Sequence, residues 1–235
     1  FFHGVDHIYL INDNSTDNFL EILQPYIVKN IVTLYNYDKK RKWVGIQDAK
    51  YNFYFQKYLK DSTWFGIIDL DEFLYSPLDV NIKNILKKYE NENQLHINWV
   101  HFGSSGFEKQ PSNVVSNFVK RGEFNSIKNG PGGRYNSYKS IIRTNGNIKL
   151  GIHSHFYNNT NKGKNISFDL EDTPLLINHY AIQSKEFWIN IKMTRGDVNY
   201  WYDKQGWERN IKLFDEMDVN DIEDNKLKIQ NNNIL

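Results

Sequence analysis

The sequence predicts an α/β fold in which a mostly parallel sheet carries helices on both faces. Short β-rich runs alternate with helix-like segments through the first half of the chain. One of these runs, Trp64–Ile68, is apolar throughout, as expected for a strand that is buried on both faces. A strand–helix–strand order of this kind is typical of parallel sheets whose crossover connections are helices.

The first half of the chain contains four predicted strands: His7–Ile11, Ile31–Tyr35, Trp64–Ile68 and Leu95–Phe102. The helix after the first strand has its apolar residues at helical spacing: Phe19, Ile22, Leu23 and Tyr26. Ser15 or Asp13 is the predicted cap of this helix. A second helix is predicted over residues 46–60. A third is predicted to begin at Pro77 and Asp79 and to carry one apolar face.

The second half is less regular. Residues 103–113 and 125–137 are rich in Gly, Ser, Asn and Pro and are predicted to be loops. Three short strands are predicted in this half: Ser140–Arg143, Lys149–Ile152 and Leu175–Ile177. One helix is predicted to run from an N-cap at Ser184 to Arg195, and another to cover residues 206–217.

Composition and charge exclude several classes of protein. The 235 residues have a formal net charge of +1, which gives no reason to expect a nucleic-acid partner. The absence of cysteine rules out a disulfide framework, a Cys-ligated zinc site and a thiol nucleophile. No apolar run approaches the roughly 20 residues of a membrane helix, and no signal-like segment is present. We therefore expect a cytoplasmic protein, whose oligomeric state the sequence does not indicate.

Two carboxylates, Asp69 and Asp71, directly follow the apolar run Trp64–Ile68. In an extended segment, side chains two residues apart point the same way, and ligand crevices of α/β sheets lie at the carboxyl ends of strands. A pair of carboxylates at such a place suits Mg²⁺ or Mn²⁺ bound together with substrate phosphates. The alternative is that the two acids only cap a solvated strand end.

A second polar motif, Asn12–Asp17, ends the first predicted strand and precedes a predicted helix. At such a junction, Asp13 and Asn14 can hydrogen-bond a ribose or a base edge. The alternative is that these residues form an ordinary helix cap.

Several segments, in this order, resemble the GT-A-fold glycosyltransferases of family 92 and their family-2-like relatives: Asp13–Asp17, Trp64–Leu74, Asn98–Gly106, Lys139–Arg143, Gly151–His153 and Asn178–Gly196. The resemblance covers about residues 4–200 and implies a GT-A (Rossmann-like) sheet. Members of this group begin with a further strand, upstream of a segment like Phe2–Val5. We therefore expect the first strand of the fold to be missing from this chain.

The resemblance also implies how the chain is divided. Residues 1–220 would form a single GT-A-like domain, because the sequence has no internal repeat and no linker-like segment. Its nucleotide- and metal-binding half would cover about residues 1–103, and its acceptor-binding, closing half about residues 104–220. Residues 221–235 would form a polar tail, which we expect to be poorly ordered.

The function implied by the resemblance is transfer of a sugar from a nucleoside diphosphate, most simply UDP, to a hydroxyl of a glycan or another acceptor. The resemblance further implies inversion at the transferred carbon and dependence on Mn²⁺ or Mg²⁺. Asp71 is the expected direct metal ligand, and Asp69 would bind the metal or the donor ribose. His179 is expected to complete the metal site, with His153 and His155 as alternatives.

Further roles follow from the same resemblance. Lys192 and Arg195 lie one helical turn apart and can neutralise the donor diphosphate, although a solvated helix end would also explain them. Glu108 and Asp172 are the candidates for the base that deprotonates the acceptor. Three aromatic residues are candidates either for the sugar site or for the core: Trp99, Phe102 and Trp188.

Other interpretations of the motifs remain open. A non-catalytic carbohydrate- or nucleotide-binding protein could use the same GT-A-like fold. A phosphatase of the haloacid dehalogenase type also has two acids after an apolar strand, but continues with Thr or Val where this chain has Phe73. A metal-dependent nucleotidyltransferase would share the sheet and the metal, but the chain does not open with a Gly-rich, basic segment.

Overall fold

A computed structural model describes residues 3–37, 46–123, 138–166, 173–194 and 209–233. The strands in these residues are β1 (Ile8–Asn12), β2 (Val32–Asn36), β3 (Trp64–Gly66), β4 (Glu72–Tyr75), β5 (Gln94–His101), β6 (Lys120–Arg121), β7 (Tyr138–Arg143), β8 (Ile148–Lys149), β9 (Phe156–Tyr157), β10 (Lys164–Asn165), β11 (Leu176–His179) and β12 (Ile222–Glu223).

The helices in the same residues are α1 (Phe19–Val28), α2 (Ile46–Phe55), α3 (Ile82–Lys87), α4 (Val114–Asn117), α5 (Lys185–Phe187), α6 (Ile211–Met217) and α7 (Lys226–Asn232). A 3₁₀ turn, Gln56–Asp61, continues α2, and a π-helical turn, Trp188–Lys192, continues α5. Within the described residues, none of the helices has the length and apolar character that crossing a membrane requires.

Among the described residues, the main sheet has six strands and is mixed. Its order is β3-β7-β5-β11-β4, with β10 also paired to β5. Strand β5 is parallel to β11 and β10, whereas the other three pairs are antiparallel. The α/β class is therefore confirmed, but the expectation of a mostly parallel sheet is wrong. Strand β7 comes from the second half of the chain and lies antiparallel between β3 and β5, an insertion that the strand–helix alternation of the first half does not reveal.

Strands β1 and β2 form a separate parallel pair that is joined through α1, as the alternation predicts. The predicted cap of α1 is wrong. The helix begins after Asn18, which makes no side-chain capping bond. The side-chain oxygen of Asn12 accepts a hydrogen bond from the backbone N–H of Ser15, so the polar motif forms a turn of its own before the helix starts.

The run Trp64–Ile68 was expected to be a strand buried on both faces, and this is also wrong. Strand β3 covers three residues and stands at one end of the strand order. Phe65 and Ile67 are buried, but the side chain of Ile68 is 43% exposed. The strand ends at Gly66 because the chain then turns toward the two carboxylates.

Helix α3 covers one face of the main sheet, and its start at Asn81 is capped by that residue's side chain. Three buried helix residues pack against the strands: Ile82, Ile85 and Leu86. The sheet residues of this cluster include Ile97 of β5 and Ile177 of β11. Side chains two positions farther along a strand lie on the same face. The face that α3 covers at one end is therefore continued by Trp99 and His179 at the other.

The C-terminal residues were expected to be a poorly ordered tail, but residues 222–232 form β12 and α7. Leu227 of α7 is buried in a cluster that includes Tyr75 and Tyr180. Asp224 makes a buried ion pair with Arg121 at 2.8 Å. The polar composition of this segment concealed these two buried contacts.

Candidate active site

The Asp69–Asp71 pair lies in the turn that connects β3 to β4. The backbone N–H of Glu72 donates to the carbonyl of Asp69 at 3.0 Å, and the backbone N–H of Tyr180 donates to the carbonyl of Asp71 at 2.8 Å. The turn is therefore held both by its own backbone and by the segment that follows β11. This arrangement places the two acids beside the end of β11.

Asp71 has a partner at each carboxylate oxygen. Its Oδ2 accepts a hydrogen bond from Lys192 Nζ at 2.6 Å, and its Oδ1 lies 3.7 Å from His179 Nε2. Burial would raise the pKa of Asp71, but the charge of Lys192 and its hydrogen bond to the carboxylate hold that pKa below its ordinary value. Asp71 is therefore a carboxylate at neutral pH.

Asp69 is held differently. Its Oδ2 accepts from Lys139 Nζ at 2.9 Å, and its backbone N–H donates to Glu72 Oε2 at 3.0 Å. Lys139 also lies 3.6 Å from Glu72 Oε1. The side chains of Lys139 and Glu72 are 1% and 0% exposed, whereas that of Asp69 is 41% exposed. One buried side chain, Lys139, therefore holds the partly exposed carboxylate of Asp69, and another, Glu72, holds its backbone.

Strand register brings histidines to the same place. His179 of β11 is paired with Glu72 of β4 on one side and with His101 of β5 on the other. The ring of Trp99 lies 4.5 Å from that of His179 and 5.5 Å from that of His153. Burial lowers the pKa of His179 to about 3 and that of His101 to about 4, so both imidazoles are neutral.

The residues at Asp71 can be compared with the needs of a divalent cation. Within the described residues, no group of three or more His, Asp or Glu side chains is arranged to hold a metal ion. In octahedral coordination with ligands at ~2.1 Å from the cation, two neighbouring ligand atoms are about 3.0 Å apart and two opposite ligand atoms are about 4.2 Å apart. The 3.7 Å between Asp71 Oδ1 and His179 Nε2 falls in this range. Asp71 and His179 could therefore supply two ligands of a cation, and substrate phosphates would have to supply others.

The remaining histidine candidates lie elsewhere. His155 is buried. Its Nδ1 accepts a hydrogen bond from the backbone N–H of Gly151, and its Nε2 donates one to the carbonyl of Ser140. His153 lies against Trp99, with its Nδ1 at 3.4 Å from the carbonyl of Tyr138. His179 is the candidate that the fold places next to Asp71.

The polar motif at the end of β1 holds another predicted acid that is paired with a lysine. Lys50 of α2 is almost fully buried and donates to Asp13 Oδ2 at 3.0 Å. Asn14 adopts a left-handed backbone conformation, with φ of 62°. The side chain of Asp13 is largely exposed. Its carboxylate is therefore held by Lys50 at the end of the strand while remaining accessible to solvent.

The predicted residues of the second half are only partly described. Ser184 caps α5 as expected, by accepting from the backbone N–H of Phe187. Glu108 is 79% exposed and lies 4.0 Å from Lys185. Arg195 and Asp172 lie outside the described residues. Of the predicted residues, the structure therefore brings Lys192 and His179 to Asp71.

The three aromatic candidates separate into two groups. Phe102 is buried against Tyr180, and Trp188 is buried against Phe214. Both therefore pack in the core. The ring of Trp99 lies beside that of His179 at an interplanar angle of 49°, so Trp99 is the aromatic residue of the three that borders the site.

The Gly103–Gly106 segment is held by a loop from the C-terminal part of the chain. The backbone N–H and the hydroxyl of Ser104 both donate to the carboxylate of Asp218. The backbone N–H of Ser105 donates to Asn220 Oδ1 at 2.7 Å. A side chain at Gly103 would collide with this loop, since a Cβ there would lie 2.5 Å from the carbonyl of Val219. Glycine is required here for close approach of the two backbones.

Sequence reasoning missed the partners of the acids. Lys50, Lys139 and Glu72 were not predicted to be site residues, although each is buried and paired with a predicted acid or with its backbone. A signal was present for Lys139, because a lysine in the strand-like run Lys139–Arg143 needs a compensating carboxylate if it is buried.

Comparison with known protein families gives a match over most of the chain. The sequence model of glycosyltransferase family 92 matches residues 2–229, which is nearly the whole chain. A search of curated proteins found no match.

Proposed function

The chain belongs to glycosyltransferase family 92, and from this premise we propose that it transfers a sugar from a nucleoside diphosphate, UDP in the first instance, to a hydroxyl acceptor. The observation that carries the proposal is the meeting of Asp71, His179 and Lys192 at one end of the main sheet. A carboxylate, a neutral imidazole and an ammonium group at one place suit the binding of a metal-assisted diphosphate leaving group.

Each side chain has a role in this proposal. Asp71 and His179 hold a divalent cation, Mn²⁺ or Mg²⁺. When bound, this cation stabilises negative charge on the departing diphosphate as a Lewis acid. Lys192 donates hydrogen bonds to the same phosphates. Asp69, kept in place by Lys139 and only partly buried, accepts a hydrogen bond from the donor ribose.

Asp13 and Asn14, at the end of β1, bind the nucleoside of the donor. Their position before a helix and the fixed orientation of Asp13 on Lys50 support this role. Trp99, beside His179, provides an apolar ring face against which a sugar can pack.

Transfer proceeds in one displacement with inversion. The acceptor oxygen forms a bond to the anomeric carbon as the bond from that carbon to the diphosphate oxygen breaks, and the acceptor proton passes to a carboxylate base. Glu108 and Asp172 are the candidate bases. The exposure of Glu108 supports access to an acceptor.

The test is a thermal-shift titration with UDP, with Mn²⁺ or with EDTA. A ligand at 100 times its Kd stabilises the native state by about 2.7 kcal/mol, which corresponds to roughly 5–11 °C in Tm for a chain of this size. We expect this shift with Mn²⁺, a much smaller shift with EDTA, and its loss in Asp71→Asn.

Asp6→Asn is the matched control, because Asp6 is an exposed acid paired with Lys83 away from the site. It should retain the full shift. An equal shift in Asp71→Asn and wild type would refute the assignment of Asp71. A panel of UDP-sugars with the metal present then identifies the donor by release of UDP.

A further inference from the structure

The two acids of the Asp69–Asp71 turn are each paired with a lysine, but the two pairs differ in accessibility. Lys139, which holds Asp69, is 1% exposed and is packed within the sheet. Lys192, which holds Asp71, is 19% exposed, as is Asp71 itself. Lys192 also stands at the end of the π-helical turn, on a long and flexible side chain. The first lysine is fixed, whereas the second can leave its carboxylate without unfolding the core.

The contact of Lys192 neutralises the Asp71 carboxylate, whose other oxygen is the one that a metal ion beside His179 would need. At 2.6 Å from Oδ2, the ammonium nitrogen is a charge-assisted hydrogen-bond donor to one carboxylate oxygen. The other oxygen faces His179. A divalent cation bound to Asp71 at ~2.1 Å would lie within a few ångströms of this ammonium group, and like charges at such a separation repel strongly where water is partly excluded.

We propose that Lys192 and a divalent cation exclude each other at Asp71, and that the donor diphosphate relieves the exclusion by drawing Lys192 away to its own oxygens. The proposal rests on the function proposed above and adds to it that binding of the cation depends on binding of the nucleotide. The free protein binds the cation weakly, because Lys192 already neutralises Asp71. Cation and nucleotide diphosphate then bind with positive coupling, since each favours the state in which Lys192 has left the carboxylate.

The test measures Mn²⁺ binding directly, by the electron paramagnetic resonance signal of free Mn²⁺, with and without UDP. Lys192→Met keeps the length of the side chain and removes its charge. We expect it to bind Mn²⁺ alone about 10- to 100-fold more tightly than wild type, which is the range of one charge-assisted hydrogen bond. Lys192→Arg retains the cation and should bind Mn²⁺ alone as weakly as wild type.

Lys185→Met is the matched control. It removes a positive charge from the same helical segment, but Lys185 faces Glu108 rather than Asp71. It should leave the Mn²⁺ affinity within about twofold of wild type, because a more distant, partly exposed charge is screened. In wild type, UDP should raise the affinity for Mn²⁺ at least about 10-fold, and this coupling should shrink in Lys192→Met.

Three results would overturn the inference. Equal affinity for Mn²⁺ alone in wild type and Lys192→Met would show that Lys192 does not compete, while the proposed transferase function would stand if UDP still binds with Mn²⁺. An equal gain in Lys185→Met would reduce the effect to overall charge. Failure of all variants to bind Mn²⁺, with or without UDP, would remove both this inference and the metal from the proposed function.

Discussion

Replacement of Glu72 by glutamine should change how the stability of the protein depends on pH. The Glu72 side chain is completely buried and accepts a hydrogen bond from the backbone of Asp69 through Oε2. Its Oε1 has no hydrogen-bond partner among the described residues. Burial raises the pKa of Glu72 from 4.5 to about 8, although Lys139 opposes the rise.

The direction of the pH dependence follows from the pKa of Glu72 in the unfolded and in the folded protein. In the unfolded chain Glu72 loses its proton near pH 4.5, whereas in the folded protein it retains the proton up to about pH 8. The contribution of Glu72 to the free energy of unfolding is therefore fully present below pH 4.5 and is lost as the pH rises through about 8. Each unit of pKa difference corresponds to ~1.4 kcal/mol, so the loss is roughly 3–5 kcal/mol, or about 6–20 °C in Tm for a chain of this size.

Glutamine has no proton to lose, and its side-chain oxygen can still accept from the backbone of Asp69. The Tm of Glu72→Gln should therefore match that of wild type near pH 4.5 and exceed it increasingly toward pH 8. The assay is thermal unfolding followed by circular dichroism, with EDTA present to exclude divalent cations. Glu92→Gln, which alters an exposed pair with Lys164, should follow the wild-type curve. Parallel curves for wild type and Glu72→Gln would refute the reasoning.

Two further predictions concern stability away from the two acids. Asp224→Ala leaves the buried guanidinium of Arg121 without its carboxylate, which should cost about 3–5 kcal/mol in denaturant unfolding. The double variant Arg121→Met/Asp224→Ala should recover most of this loss, and no recovery would contradict the ion-pair explanation. Asp218→Ala removes the acceptor of two Ser104 hydrogen bonds and should cost roughly 1–3 kcal/mol. Asp215→Ala, an exposed change in α6, is its control and should cost little.

The elements that sequence could predict are those with a local signal. Strand β5 and the apolar face of α3 were predicted from periodicity, and the cap at Ser184 from its residue type. The arrangement of the main sheet could not be predicted in the same way. It depends on β7, a strand from the second half that inserts between β3 and β5, and no local pattern in β3 or β5 records which strand lies beside it.

The candidate site shows the same division. The acids were visible because two carboxylates after an apolar run are unusual, and the resemblance to a family supplied His179 and Lys192. The basic partners of Asp13 and Asp69 come from α2 and β7, at separations of 37 and 70 residues. Pairs of residues so far apart along the chain produce no recognisable spacing pattern in the sequence. Their one local trace is a lysine at a position that the fold buries.

These partners change the electrostatic description of the site. From the sequence alone, Asp69 and Asp71 form a doubly negative site that needs a cation to neutralise it. In the structure each acid already has an ammonium group within hydrogen-bond distance, so the pair is close to neutral. A nucleoside diphosphate would bring negative charge into this balance, and a cation that arrives with it would restore neutrality. Since Lys139 is held in place by burial, Lys192 is the lysine of the two that can move when the nucleotide and the cation bind. For this reason the affinity of Lys192→Met for Mn²⁺ alone is the measurement that most directly tests how the site works.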